Sequence, residues 1–203
     1  MFLPKIYPIT DTHISKLSHG EQVRKLIEGG AKFIQLRDKL ASPKDFYESA
    51  GEALEIARTK NVKIIINDRV DIALALKADG VHLGQDDLPP EHARRILGEK
   101  AIIGFSTHNL KQVTEALKLP INYLAIGPVF ATQTKENPEE VVGIEGVKKA
   151  RKIACGFPIV AIGGITSKNF QEVLDAGADS VAIISNLLSD PNKISEKMKM
   201  LLH

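Results

Sequence analysis

Eight short runs rich in β-branched residues, each followed by a longer amphipathic run, recur from one end of this chain to the other. The runs are Lys5–Thr10, Lys32–Leu36, Lys63–Ile66, Gly80–Leu83, Ile102–Phe105, Tyr123–Ile126, Ile159–Ile162 and Ser180–Ile184. Strict alternation of strand and helix implies parallel strands joined by right-handed crossovers. Six or fewer units would favour an open doubly wound sheet, whereas eight fit a closed barrel. The expected fold class is therefore α/β, a (β/α)8 TIM barrel, with residues 1–203 forming one compact domain. Such barrels typically need about 250 residues, so loops and helices must be trimmed to fit.

The helical runs carry their own boundaries. Over Ser42–Thr59, Ser42 suits the cap and Pro43 the first turn, and Phe46, Ala50, Ala53, Leu54 and Ala57 form an apolar stripe. A second run, Asn109–Leu119, is capped by Asn109 and stopped by Pro120; a third, Ser167–Ala176, ends on Gly177. Gly29-Gly30-Ala31 and Ala176-Gly177-Ala178 occupy equivalent helix-to-strand turns, as common turn chemistry requires. No low-complexity tract or composition shift marks a second domain.

A formal charge of +2 argues against bulk electrostatic attraction to nucleic acid or membrane, so anion binding must be local. Cys155 is the only cysteine; no intrachain disulfide can form, and a reducing, cytoplasmic compartment is the simplest expectation. The opening stretch, broken by Pro4 and Pro8, does not read as a signal peptide, and no apolar run is long enough to span a bilayer.

In a barrel of this kind the chemistry lies at the C-terminal ends of the strands. The second strand ends in Phe33-Ile34-Gln35-Leu36-Arg37-Asp38-Lys39. Side chains alternate between faces, so Ile34 and Leu36 should meet the helices while Gln35 and Arg37 point into the mouth, with Lys39 beyond. An amide and two cations there suit a polyanion such as diphosphate. The third and fourth strands end in Asn67-Asp68-Arg69 and Gly84-Gln85-Asp86-Asp87. Adjacent strands lie about 4.8 Å apart, so Asp68 with Asp86 or Asp87 makes a plausible Mg²⁺ site completed by water and phosphate oxygens; the competing reading makes each Asp a cap or turn residue. His82 lies within a strand, where a satisfied core histidine is the common case. Ser106, Thr107 and His108 end strand five, but no Gly-x-Ser-x-Gly elbow is present, which argues against a hydrolase triad.

The longest connection follows strand six and carries Thr132, Thr134 and Lys135, which can bind a phosphate. Gly163-Gly164 after strand seven and Ser185 after strand eight occupy the recurrent phosphate site of barrels. The constellation thus contains two anion sites, one metal-assisted and one built from backbone, and calls for two phosphorylated small molecules or one doubly phosphorylated one.

Taken in order, Ile6-Tyr7-Pro8-Ile9-Thr10-Asp11, Gln35-Leu36-Arg37-Asp38-Lys39, Ile66-Asn67-Asp68-Arg69, Gly80-Val81-His82-Leu83-Gly84-Gln85-Asp86-Asp87, Gly104-Phe105-Ser106-Thr107-His108, Gly127–Lys135 and Ile162-Gly163-Gly164-Ile165 resemble the thiamine phosphate synthase family across nearly the whole chain. The resemblance implies that Gln35, Arg37, Lys39, Asn67, Ser106 and Lys135 hold a pyrimidine diphosphate, with Arg37, Ser106 and Lys135 as the catalytic set. It implies Mg²⁺ on Asp68 and Asp87, the family's Gln-x-Asp pattern selecting Asp87 over Asp86. It places a thiazole phosphate on Thr132, Thr134, Gly164, Ile184 and Ser185. The family chemistry is dissociative: diphosphate leaves, a pyrimidine methyl cation forms, and the thiazole nitrogen attacks it. Phosphorylated small molecules are the implied partners, neither nucleic acid nor membrane, with a homodimer as the assembly considered. The stretch Glu136–Val142 follows the family's usual lid only loosely. Two alternatives stand beside this reading. A thiazole tautomerase needs no diphosphate or metal site, and a non-catalytic phosphate-binding barrel would show a broken one; His108 does not discriminate.

Overall fold

The computed structural model describes residues 3–132 and 139–202. Its eight strands are β1 Ile6–Thr10, β2 Phe33–Leu36, β3 Lys63–Asn67, β4 Gly80–Leu83, β5 Ile102–Thr107, β6 Tyr123–Ile126, β7 Ile159–Ile162 and β8 Ser180–Ile183. They close into a barrel in chain order, every neighbouring pair parallel. The seam is β8 on β1, with Ile6 opposite Val181 and Pro8 opposite Ile183. Two helices, α1 Thr12–Ser15 and α2 His19–Glu28, link β1 to β2. Single helices follow: α3 Pro43–Thr59, α4 Val70–Ala75, α5 Pro90–Leu97, α6 Leu110–Ala116, α7 Gly143–Ala154 and α8 Phe170–Asp175. Beyond β8 lie α9 Ser185–Leu188 and α10 Ile194–Leu202. The barrel fits its short chain through helices such as α4, α6 and α8, of six, seven and six residues.

Boundaries differ from the expected ones where local hydrogen bonds compete. Strand β5 runs on through Ser106 and Thr107, opposite Ala125 and Ile126, because the Thr107 hydroxyl donates to the Ala125 carbonyl at 2.8 Å. The helix expected from Ser167 begins only at Phe170: Asn169 Oδ1 accepts from the Thr166 amide at 2.7 Å and holds a turn there. Ile184 leaves the extended region (φ −117°, ψ −88°) and ends β8 one residue early.

Alternation along the strands divides the apolar residues into two layers. Tyr7, Ile9, Phe33, Ile65, Tyr123, Ala125 and Val160 fill the barrel interior. Ile34, Leu36, Ile64, Ile66, Val81 and Leu83 face the helices. The stripe on α3 is buried at all five anticipated positions, and a side chain the size of Phe46 contributes about 1.5–3 kcal/mol by full burial. Ser42 caps α3 by accepting from the Asp45 amide. Cys155 caps the C-terminus of α7, exposed, between that helix and the start of β7. Among the described residues, no helix is long and apolar enough to cross a membrane.

Candidate active site

A cavity of 510 Å³ opens at the C-terminal ends of the strands. Gln35, Arg37, Lys39, Asn67, Asp68, Asp87, Ser106, Thr132, Gly164, Ile184 and Ser185 all line it, so residues spread over more than half of the sequence meet in one space. Thr134 and Lys135 lie outside the described residues.

One side of the mouth is charged. Arg37 leaves the end of β2 and is fixed by Asp11, whose Oδ2 accepts from its Nη1 at 2.6 Å. Asp11 was not anticipated from sequence. Its other oxygen accepts from the amides of His13 and Ile14 and so caps α1, which orients the carboxylate. Lys39, half exposed, reaches Asp68 as an ion pair. Asp68 sits one residue past β3 in a left-handed conformation (φ 61°), which Asp tolerates better than most side chains. The helix-cap reading does not hold for it: Arg69 occupies the cap of α4, and no side chain hydrogen-bonds there. Asp87 turns back to accept from the Gly84 amide at 2.6 Å, so its turn role is real. It nevertheless lines the cavity beside Asp68.

The Asp87 carboxyl is raised above the ordinary carboxylate range, first by burial and then by Asp68, against the lowering effect of the Gly84 amide and Lys39. Two acids that resist sharing their charge are a place for a cation. Among the described residues no group of three or more His, Cys, Asp or Glu side chains is arranged to hold a metal. Two carboxylates alone fit a hard ion that takes its remaining ligands from water and phosphate, as Mg²⁺ does, better than a caged transition metal.

The opposite side is backbone. Gly163 and Gly164 both adopt positive φ (101° and 64°). A Cβ on Gly163 would lie 2.5 Å from Pro128 Cβ, and one on Gly164 would lie 2.7 Å from Ala131 O. The glycines thus permit the β6–α7 connection to lie against the end of β7, where Phe130 donates its amide to the Gly163 carbonyl at 3.0 Å. Sequence reasoning attributed Gly164 to ligand approach; the structure adds this packing requirement.

The floor is neutral and polar. Tyr7, His82 and Tyr123 lie buried beneath the cavity, joined by hydrogen bonds to Gln35 and Ser106. Burial holds the His82 ring down to about 4, so it is uncharged at neutral pH. His82 is thus the satisfied core histidine expected from its strand position, and it also faces the cavity. Tyr7 and Tyr123 were passed over because each reads as an ordinary apolar strand residue; only the inward alternation hinted at them. His108 lines the cavity while its Nδ1 donates to the Gly127 carbonyl at 2.8 Å, which ties the ring to the loop after β6.

Comparison with known proteins agrees with this geometry. The family model described as thiamine monophosphate synthase matches residues 6–187. The thiamine-phosphate synthase of Koribacter versatilis (strain Ellin345) is 42% identical over 208 residues, covering 99% of this chain and 97% of that protein. That of Clostridium novyi (strain NT) is 45% identical over 188 residues, covering 92% and 91%. The thiamine phosphate pyrophosphorylase structure from Pyrococcus furiosus superimposes with a TM-score of 0.87 at 38% identity, over 97% of this chain and 93% of that one. With the barrel, the charged rim and these matches in agreement, the chain belongs to the thiamine monophosphate synthase family and is an enzyme, a transferase.

Proposed function

We propose that this enzyme condenses hydroxymethylpyrimidine diphosphate with hydroxyethylthiazole phosphate, giving thiamine phosphate and diphosphate by a dissociative substitution that depends on Mg²⁺. The observation that carries the reading is the division of one cavity into a cationic and carboxylate-bearing rim, an uncharged floor, and a glycine-rich backbone wall.

Asp68 and Asp87 would hold the magnesium, which when bound neutralises charge on a departing diphosphate. Arg37 and Lys39 complete that neutralisation. Arg37 is already held by Asp11, so little reorganisation accompanies the reaction, the condition under which fixed charges stabilise a transition state best. The floor accepts the pyrimidine ring, with Gln35, Asn67 and Ser106 around it. As the bond from the methylene carbon to the diphosphate oxygen breaks, its electrons leave with the diphosphate and positive charge grows on the pyrimidine methyl group. A neutral His82 in the floor adds no opposing charge at that moment. Thr132, Gly164, Ile184 and Ser185 would position the thiazole phosphate, so that its ring nitrogen attacks the same carbon. Holding both partners in one cavity supplies much of the acceleration, since no strong general base is needed.

A rim with two cations and two adjoining carboxylates has no purpose in a thiazole tautomerase or in a barrel that merely binds phosphate. The direct test incubates purified protein with both phosphorylated precursors, with and without Mg²⁺, and follows thiamine phosphate and diphosphate. Stoichiometric release of the two products, dependent on the ion, is the expected result. Isomerisation of the thiazole with no coupling would overturn it.

A further inference from the structure

Beneath the cavity runs a series of hydrogen bonds to which the proposed reaction assigns no task. Gln35 Nε2 donates to the Tyr7 hydroxyl at 3.0 Å. The Tyr7 and Tyr123 hydroxyls lie 3.0 Å apart, and the Tyr123 hydroxyl is 2.9 Å from His82 Nδ1. His82 Nε2 is in turn 2.9 Å from Ser106 Oγ. The members come from β2, β1, β6, β4 and β5, so the series crosses the barrel, and both of its ends line the cavity.

Counting protons constrains it. Burial pushes both tyrosine hydroxyls far up, so each keeps one proton. His82 is a buried ring with one hydroxyl at each nitrogen, and as an imidazole it carries one N–H. Each interior member therefore has one proton for two bonds. A buried hydroxyl proton without an acceptor is costly, so all four bonds must run in the same sense. In the sense seen here, Gln35 donates to Tyr7, Tyr7 to Tyr123, Tyr123 to His82 Nδ1, and His82 Nε2–H to Ser106. Gln35 then presents its carbonyl oxygen to the cavity, and Ser106 presents its hydroxyl proton. Reversal would require the amide to flip, the imidazole to change tautomer and both tyrosines to turn together.

Independent evidence that the series is built for comes from β5. Gly104 lies where the Tyr123 hydroxyl meets His82; a Cβ there would fall 2.3 Å from the hydroxyl oxygen and 2.5 Å from His82 Nδ1. The Tyr123 and His82 rings also stack, with centroids 5.5 Å apart and planes inclined by 24°.

We propose that Tyr7, Tyr123 and His82 act as a polarity relay that sets Gln35 as acceptor and Ser106 as donor, making the floor selective for an azine edge that offers an amino donor and a ring-nitrogen acceptor. This rests on the reading that a pyrimidine occupies the floor. Tyr7, Tyr123 and His82 are positioning residues in this role, acting through Gln35 and Ser106. A 4-oxo pyrimidine, with donor and acceptor exchanged, demands the reversed sense and is rejected by the concerted reversal it imposes.

The test measures dissociation constants by calorimetry for the diphosphates of the 4-amino pyrimidine and its 4-oxo analogue, with Mg²⁺, on wild type, Tyr123→Phe and Tyr7→Phe. Each variant removes a different hydroxyl and with it two of the four bonds, and melting curves identify any that fails to fold. The preference for the amino form is expected to fall about tenfold in each variant, the scale of one hydrogen bond's net worth. Weakening of both forms by the same factor in both variants, or no amino preference in the wild type, would overturn the relay. Wild type that binds neither form overturns the pyrimidine reading and the relay with it; retained binding with an unaltered preference overturns the relay alone.

Discussion

Asp11 Oδ2 lies 2.6 Å from Nη1 of Arg37, so a helix-capping carboxylate also fixes a cation at the cavity mouth. The two duties separate by substitution. Asp11→Asn keeps a good cap on α1 but removes the charge that holds Arg37. It should leave the melting temperature nearly unchanged while kcat/KM for the pyrimidine diphosphate falls about tenfold, or about 1.4 kcal/mol. Asp11→Ala should show that same kinetic loss together with about 1 kcal/mol of lost stability from the missing cap. Equal kinetics in wild type and Asp11→Asn would show that Arg37 needs no such support.

Asp87 is held in an unfavourable environment for its charge, by burial and by Asp68. Asp87→Asn should therefore abolish most of the activity with no loss of stability, since the amide oxygen still accepts from the Gly84 amide. Excess chelator should have the same effect on the wild-type enzyme, reversed by added Mg²⁺. Full activity in chelator would remove the metal from the mechanism.

Gly164→Val tests the backbone wall. The substitution places a side chain at φ 64° and within 2.7 Å of Ala131 O and Phe130 Cβ. A loss of about 1–3 kcal/mol in stability is expected, with thiazole phosphate affinity reduced far more than pyrimidine diphosphate affinity. Equal losses in calorimetry would contradict two separate anion sites.

His19 sets a pH dependence of stability away from the site. Its ring is fully buried, Nδ1 lies 2.8 Å from the Thr10 hydroxyl, and Nε2 has no hydrogen-bond partner. Burial lowers its pKa from 6.5 to about 4, against the raising effect of Asp38 and Asp11. Between these values the unfolded chain binds the extra proton, so stability falls as pH drops through that window and is insensitive to this group above it. Urea midpoints should show a loss on the order of 1–2 kcal/mol from this residue between pH 7 and pH 5. His19→Asn should flatten the profile; an equally steep profile in the variant would assign the effect elsewhere.

Lys135 follows Thr134 on the longest connection, and the family resemblance places it over the leaving diphosphate. Lys135→Ala should lower the single-turnover rate by roughly 10²–10³ with both substrates saturating, the scale of one lost charge-stabilising donor. Lys135→Arg should recover only part, because a planar fork does not replace a compact ammonium. A variant altered in apparent affinity alone would make Lys135 a binding residue.

The eight-unit alternation was enough to place every strand to within two residues of its observed ends, because each unit repeats one local pattern of burial and turn chemistry. Gln35, Arg37 and Asp68, with Asp86 or Asp87 beside them, could likewise be read from their positions, since inward alternation and the strand ends of a barrel specify where polar side chains collect; the choice of Asp87 came from the family pattern. Family motifs added the remaining ligand assignments. What the linear order could not contain was pairing across the barrel. Tyr7 and Tyr123 are 116 residues apart and Asp11 and Arg37 are 26 apart. Nothing local to either member signals the other, and Gly104 reads as an unremarkable strand glycine until Tyr123 is seen to need its space. Local periodicity determined the barrel and the face on which its chemistry lies; closure of the sheet decided which polar groups meet, because only closure brings β1, β4, β5 and β6 around one interior.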